Sequence, residues 1–173
     1  MIPIFEKNVD QLSKNAFPTS ESGKPYKALY YKGEEFEKLG DEDVHRLSKA
    51  LENNSNFFGP LVLSWNNLSD LSALYLSQSV KKFSGLRGLD LSHNNLSTRS
   101  GEFLGEAFKG DYNIHYLNFK GNNLESLGTR RILECVNSNP NIQMLDIGII
   151  SDDGLRLLTT LLSKNSTLKR LRF

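Results

Sequence analysis

The sequence predicts an α/β solenoid of about five to six units, with short parallel strands lining a concave face and helices covering a convex one. Two observations carry that prediction. Leu61, Leu89, Leu117 and Leu145 recur at a constant step of 28 residues, each inside the same frame of apolar residues and a following asparagine position. Between those frames lie stretches whose apolar residues recur at helical spacing. A strand and a helix alternating at one period imply a parallel sheet whose crossovers all lie on one side. Helices are wider than strands, so stacked units bend with the strands inside.

Residues 1–25 fall outside the frame. They are expected to form an N-terminal capping segment, with Ile2, Ile4, Phe5 and Leu12 as its apolar contacts and FPTSESGKP (17–25) as a loop. The repeat domain is expected over 26–173. Its first copy, YKALYYKGEEF (26–36), keeps the apolar spacing, carries Glu34 in the asparagine slot, and places Leu29 32 residues before Leu61. In DEDVHRLSKAL (41–51) the spacing puts Val44, Leu47 and Leu51 on one helical face, with Asp41, Glu42 and Asp43 at the positive end of the helix dipole.

The three full copies read FGPLVLSWNNL (58–68), LRGLDLSHNNL (86–96) and IHYLNFKGNNL (114–124). In each, Leu61/Leu63, Leu89/Leu91 and Leu117/Phe119 alternate with other residues, as a half-buried strand requires. GEFLGEAF (101–108) and TRRILECV (129–136) are the helices that follow, with Phe103, Leu104, Ala107 and Phe108, then Ile132, Leu133 and Val136, directed inward. A decaying copy, IQMLDIGIISD (142–152), leads into the helix LRLLTTLL (155–162), with Leu158, Leu161 and Leu162 inward. A half copy, LKRLRF (168–173), follows with no helix after it, which reads as a domain cut short at its C-terminal end.

The turn leaving each strand carries backbone donors and acceptors that no ladder satisfies. A side-chain amide bonds both kinds. Asn66, Asn94 and Asn122 are therefore expected to point inward as a structural ladder, and Ile150 in the same position should end it. Asn67, Asn95 and Asn123 are expected to face solvent or to take up a tight backbone angle.

These frames resemble leucine-rich repeats, and the 28-residue step with one helix per unit resembles the ribonuclease-inhibitor-like class. The lysine-, serine- and asparagine-rich units also resemble the leucine-rich-repeat effectors of intracellular bacteria such as Legionella. That second resemblance implies a host protein or a fellow effector as partner, and secretion into the host cell cytosol. The repeat itself serves many functions. The unfinished C-terminal end raises a substrate-recognition arm of a longer enzyme such as a ubiquitin ligase, and the class also includes GTPase-activating proteins, for which Arg99 and Arg130 are the available arginines.

The sequence offers no catalytic constellation. Cys135 falls at a small inward helix position and reads as a buried structural thiol, and one cysteine excludes an intrachain disulfide. His45, His93 and His115 occupy three different frame positions and do not converge as metal ligands. Phosphate-binding and zinc-protease motifs are absent, so neither enzyme activity nor a cofactor is expected. Asp152 and Asp153 read as helix caps. With 21 basic and 20 acidic residues, the net charge of +1 argues against a nucleic-acid partner. No stretch approaches the roughly 18 apolar residues of a spanning helix, so no membrane insertion is expected, and the start lacks a signal-peptide pattern. A cytoplasmic monomer awaiting a protein partner is the resulting expectation.

Function is sought where folding leaves the residue free. One exposed column runs through Tyr30, Asp90, Asn118, Asp146 and Arg172, and a second through Tyr116, Met144 and Arg170. After the second core position come Lys32 and Lys120, then Trp65 and His93 on the rim, with Ile149 in the same slot of the fourth copy. Exposed Trp, Tyr and Arg are enriched at interface hot spots. Mixed charge favours a protein partner over a polyanion. The expected function is a non-catalytic protein–protein interaction module, binding through the concave face and rim as an inhibitor or regulator of its partner.

Overall fold

Alternation in the leucine frames produces strands that bury one side each. The structure, a computed structural model, describes residues 3–16, 18–20, 22, 24–33, 37–109, 113–148, 150 and 152–173. Ile2, Glu34 and Ile149, and the side chains of Asp153 and Leu161, lie outside the described residues. The described elements run α1 (Pro3–Ser13), β1 (Leu29–Tyr30), α2 (Asp41–Glu52), β2 (Gly59–Val62), α3 (Asp70–Ser79), β3 (Leu86–Asp90), α4 (Thr98–Ala107), β4 (Tyr116–Asn118), α5 (Glu125–Ser138), β5 (Met144–Asp146), α6 (Asp152–Leu162) and β6 (Arg170–Arg172).

All six strands form one parallel sheet in chain order, β1-β2-β3-β4-β5-β6. Its register aligns Leu29, Leu61, Leu89, Leu117, Leu145 and Leu171 side by side. The helices pack on their chain neighbours in the same order, making a second row. Between the layers one continuous core holds Leu61, Leu63, Leu89, Leu91, Leu117 and Phe119 together with Val44, Leu47, Leu76, Leu104, Ile132 and Leu158.

Among the helices, α3 has no counterpart in the apolar pattern. Its sequence, DLSALYLSQS, spreads apolar residues around the axis, and Leu71 is exposed while Ser72, Ser77 and Ser79 are buried. Besides Ala73 and Leu76 in the core, α3 is held at its N-terminus. Asp41, in the first turn of α2, accepts from the backbone N–H and hydroxyl of both Ser69 and Ser72. One unit later Asp70 accepts in the same way from Ser97 and Ser100, at the start of α4. Each carboxylate thus caps the next helix as well as favouring its own dipole.

Burial pushes the carboxyls of Asp41 and Asp70 up, but the serine hydrogen bonds outweigh it and hold both below the usual aspartate range. A carboxyl lowered in the folded state stabilises above its unfolded value, about pH 4, and loses that contribution as pH falls through the lowered folded value. Thermal melts should therefore be flat from pH 7 to about 5 and drop below about pH 4. The double variant Asp41→Asn/Asp70→Asn should melt lower than the parent at pH 7. Its deficit should shrink on acidification, and a deficit independent of pH would contradict the capping role.

Ahead of the first strand, α1 lies against α2. Arg46 donates both guanidinium arms to Glu6. Phe5 and Leu12 are buried, and Phe5 meets Tyr31 edge-on at 5.1 Å between ring centroids. Asn8 donates to the Tyr31 hydroxyl at 2.8 Å.

Candidate functional site

The turns that leave the strands are tied by Asn66, Asn94 and Asn122. Asn94 Nδ2 donates to the carbonyls of Leu63, Leu91 and Ser92, and its Oδ1 accepts from Leu68 N at 3.1 Å. Asn66 repeats the pattern on Tyr31, Leu63 and Ser64, accepting from Leu39 N. Asn122 bonds Leu91 and Phe119 and accepts from both Asn94 N and Leu96 N. Every amide therefore bridges its own turn to the preceding unit. Ile150, without an amide, packs partly buried against the core.

The tight backbone angle falls one residue before the ladder. Trp65, His93 and Gly121 have φ of 62°, 53° and 71°, whereas the left-handed residue of the fourth turn is Gly148 at 69°. Asn67, Asn95 and Asn123 are not left-handed; their side chains are exposed and their N–H groups bond Leu39, Leu68 and Leu96. The left-handed region costs a residue with a Cβ roughly 1–2 kcal/mol. Glycine fits there, as in the third and fourth turns. Tryptophan and histidine are held there against preference, and this aims their rings along the rim. The Trp65 and His93 rings stack at 3.9 Å, 12° from parallel. A Cβ on Gly121 would come within 2.5 Å of His93 Nδ1, so the missing side chain makes room for the imidazole. Trp65 remains 37% exposed.

Beside the rim, the sheet face opposite the helices carries two columns set by the register. One runs Val62, Asp90, Asn118, Asp146, Arg172, and the other Pro60, Gly88, Tyr116, Met144, Arg170. Tyr116 leans over Gly88 and points its hydroxyl at Asp90 Oδ2, 3.4 Å away. Burial first, and the negative Asp90 next, push the Tyr116 phenol up to about 12. Asn118 is buried; its amide donates to Asp90 Oδ2 and its Oδ1 accepts from Lys120 N.

Asp146 is equally well covered, at 8% exposure, yet its buried Oδ1 meets no donor among the described residues. An unsatisfied buried oxygen of this kind costs roughly 1–3 kcal/mol. Arg170 and Arg172 are exposed, Met144 and Lys32 are half-buried, and Lys120 and Tyr30 are exposed. Trp65 and His93 are thus brought together on the rim, Asp90, Tyr116 and Asn118 in one network, and Met144, Asp146, Arg170 and Arg172 around one cavity. Tyr30 lies on β1, in register with Val62, and Lys32 follows that strand.

Cys135 is fully buried, which pushes its thiol up to about 12. His45 stacks on Tyr75 and His115 Nδ1 lies 3.1 Å from Asn141 O. Arg99 sits over the Phe103 ring and Arg130 pairs with Glu134, so both are engaged on the helices. Among the described residues, no helix is long and apolar enough to cross a membrane, and no three His, Cys, Asp or Glu side chains group as a metal site.

No family model and no curated protein matches the chain. Solved structures do. A leiomodin-1 domain, described as its actin-binding site 2, matches with a TM-score of 0.72 at 17% identity, over 95% of this chain and 91% of its own. The tropomodulin C-terminal domain from Caenorhabditis elegans gives 0.71 at 15% identity, over 93% and 92%. At these identities the likeness speaks for the fold alone. It corrects the family resemblance drawn from the repeat, because these neighbours are neither ribonuclease-inhibitor-like proteins nor bacterial effectors. The physical reason is that the leucine frame specifies a strand, a turn and a core contact, and unrelated lineages meet that requirement alike. The chain folds as an α/β protein with a six-stranded parallel sheet, similar to the leiomodin and tropomodulin domains.

Proposed function

We propose that the chain is a non-catalytic protein-binding module that engages its partner through the open sheet face and the adjoining rim. The Trp65–His93 stack carries this reading. Two aromatic side chains are held in a backbone conformation that glycine would occupy at lower cost, and the result is a flat, partly exposed ring surface beside a face of mixed charge. Folding does not call for that arrangement; an interface anchor does. On this reading the repeat domain, 26–173, is a leucine-rich-repeat solenoid with its strands on the concave side, and 1–25 caps it. Such a face can bury the roughly 1,600 Å² that a stable complex needs, and its occupation regulates or blocks the partner. Actin is the first partner to test, because the leiomodin-1 neighbour is named for an actin-binding site.

The test is capture by the immobilised chain, followed by mass spectrometry, with actin co-sedimentation in parallel. Trp65→Gly/His93→Gly removes the rings and relieves the left-handed strain, about 1–2 kcal/mol at each position, against a stacking loss of about 0.5–1.5 kcal/mol. The melting temperature should hold or rise while capture weakens at least tenfold. Undiminished capture by this variant would place the interface elsewhere.

A further inference from the structure

Asp90 and Asp146 occupy the same repeat position two units apart, and their surroundings are opposite. Asp90 is satisfied from within, by the N–H and hydroxyl of Ser92 on Oδ1 and by Asn118 and Tyr116 on Oδ2. Each of those side-chain donors is replaced around Asp146. Gly148 stands where Ser92 stands, without a hydroxyl. On the next strand, Arg172 and Arg170 stand where Asn118 and Tyr116 stand. Neither guanidinium makes an ion pair among the described residues, and Asp146 Oδ1 is left buried without a donor. A solvent-open cavity of about 190 Å³ lies among these three charged residues, Tyr116 and Met144.

Depth orders the charges. Asp146 is 8% exposed and holds its carboxylate one methylene from the backbone, whereas the exposed arginines raise their heads on longer stems. A matching ligand must carry a cation at its inner end and a carboxylate further out. Apolar stem must lie between them, against the Met144 thioether and the Tyr116 ring. A cation alone leaves the arginines unpaired, and a carboxylate alone leaves Asp146 unpaired. Planar carboxylates are the preferred partner of guanidinium forks.

We infer that this cavity takes the C-terminal residue of a partner chain when that residue is lysine or arginine. The side-chain cation enters to Asp146, and the α-carboxylate stays outside on Arg170 and Arg172. This deepens the protein-binding reading by naming the chemistry that one end of the face selects.

The probe is Nα-acetyl-L-lysine, which mimics a chain end, titrated into the isotope-labelled chain with amide shifts as readout. Saturable shifts are expected at residues 144–148 and 170–173. Affinity should be at least tenfold higher than for Nα-acetyl-L-lysine amide, which lacks the carboxylate, and for N-acetylglycine, which lacks the cation. Asp146→Asn and Arg170→Gln/Arg172→Gln should each weaken binding at least tenfold without altering the fold's amide pattern. Equal binding of the three probes, or full binding by Asp146→Asn, overturns the inference. Absence of saturable binding also overturns it, as when Arg172 closes onto Asp146 itself. Tighter binding of free L-lysine than of the acetylated form overturns the chain-end assignment in favour of a free amino acid. Trp65→Gly/His93→Gly should keep the lysine probe while losing protein capture, so the two readings fail separately.

Discussion

Asn94→Ala should lower the melting temperature by about 5–10 °C, corresponding to about 2–3 kcal/mol. The substitution strips Leu68 N–H of its acceptor at a fully buried residue, and it removes the donor shared by Leu63, Leu91 and Ser92 carbonyls. The loss is bounded because Leu63 O still accepts from Asn66 and Leu91 O from Asn122. Two companions sharpen the result. Asn95→Ala alters an exposed side chain and should stay within about 0.5 kcal/mol. Asn94→Asp keeps the acceptor for Leu68 but turns a carboxylate oxygen toward three carbonyls, so it should be worse than alanine. If Asn94→Ala melts with Asn95→Ala, the turns do not depend on the amide.

Legibility followed repetition. Core leucines and the first asparagine recur at one step, so one copy could be read against the next. Helix α3 was not legible, because its buried residues mix Ser72, Ser77 and Ser79 with Ala73 and Leu76 while Leu71 is exposed, which leaves no continuous apolar stripe. Its cap was written in the sequence as Ser69/Ser72 after Asp41 and Ser97/Ser100 after Asp70, but the pairing needs the knowledge that successive helices lie side by side.

The left-handed rim position was hidden in a similar way. Gly121 marked that slot, while Trp65 and His93 in the same column disguised it. The exposed columns were legible as positions but not as environments. Asp146 reads as solvent-facing by alternation, yet neighbouring side chains cover it, and only comparison with the satisfied Asp90 exposes its missing donors. Family was the least legible feature, since the spacing that makes the unit is common to lineages with different partners.

Gly101→Ala should destabilise the chain by about 1–3 kcal/mol, against the usual helical preference for alanine of about 0.5–1 kcal/mol. Helices α4 and α5 meet backbone to backbone. A Cβ on Gly101 would stand 2.5 Å from both the Cα and the carbonyl oxygen of Gly128, and one on Gly105 2.8 Å from Arg131 O. Those atoms belong to the backbone, so no rotamer change relieves the contact and the two helices must separate. The adjoining strands cannot follow, because their ladder fixes them about 4.8 Å apart. The strain therefore falls on the core between Leu104 and Ile132. Urea unfolding should show a lower midpoint with an unchanged slope, while Arg99→Ala, an exposed change in the same helix, should leave the midpoint in place. A rise in stability on Gly101→Ala would mean that the helix row has slack, and that close helix packing does not constrain the spacing of the strands that carry Tyr116 and Met144.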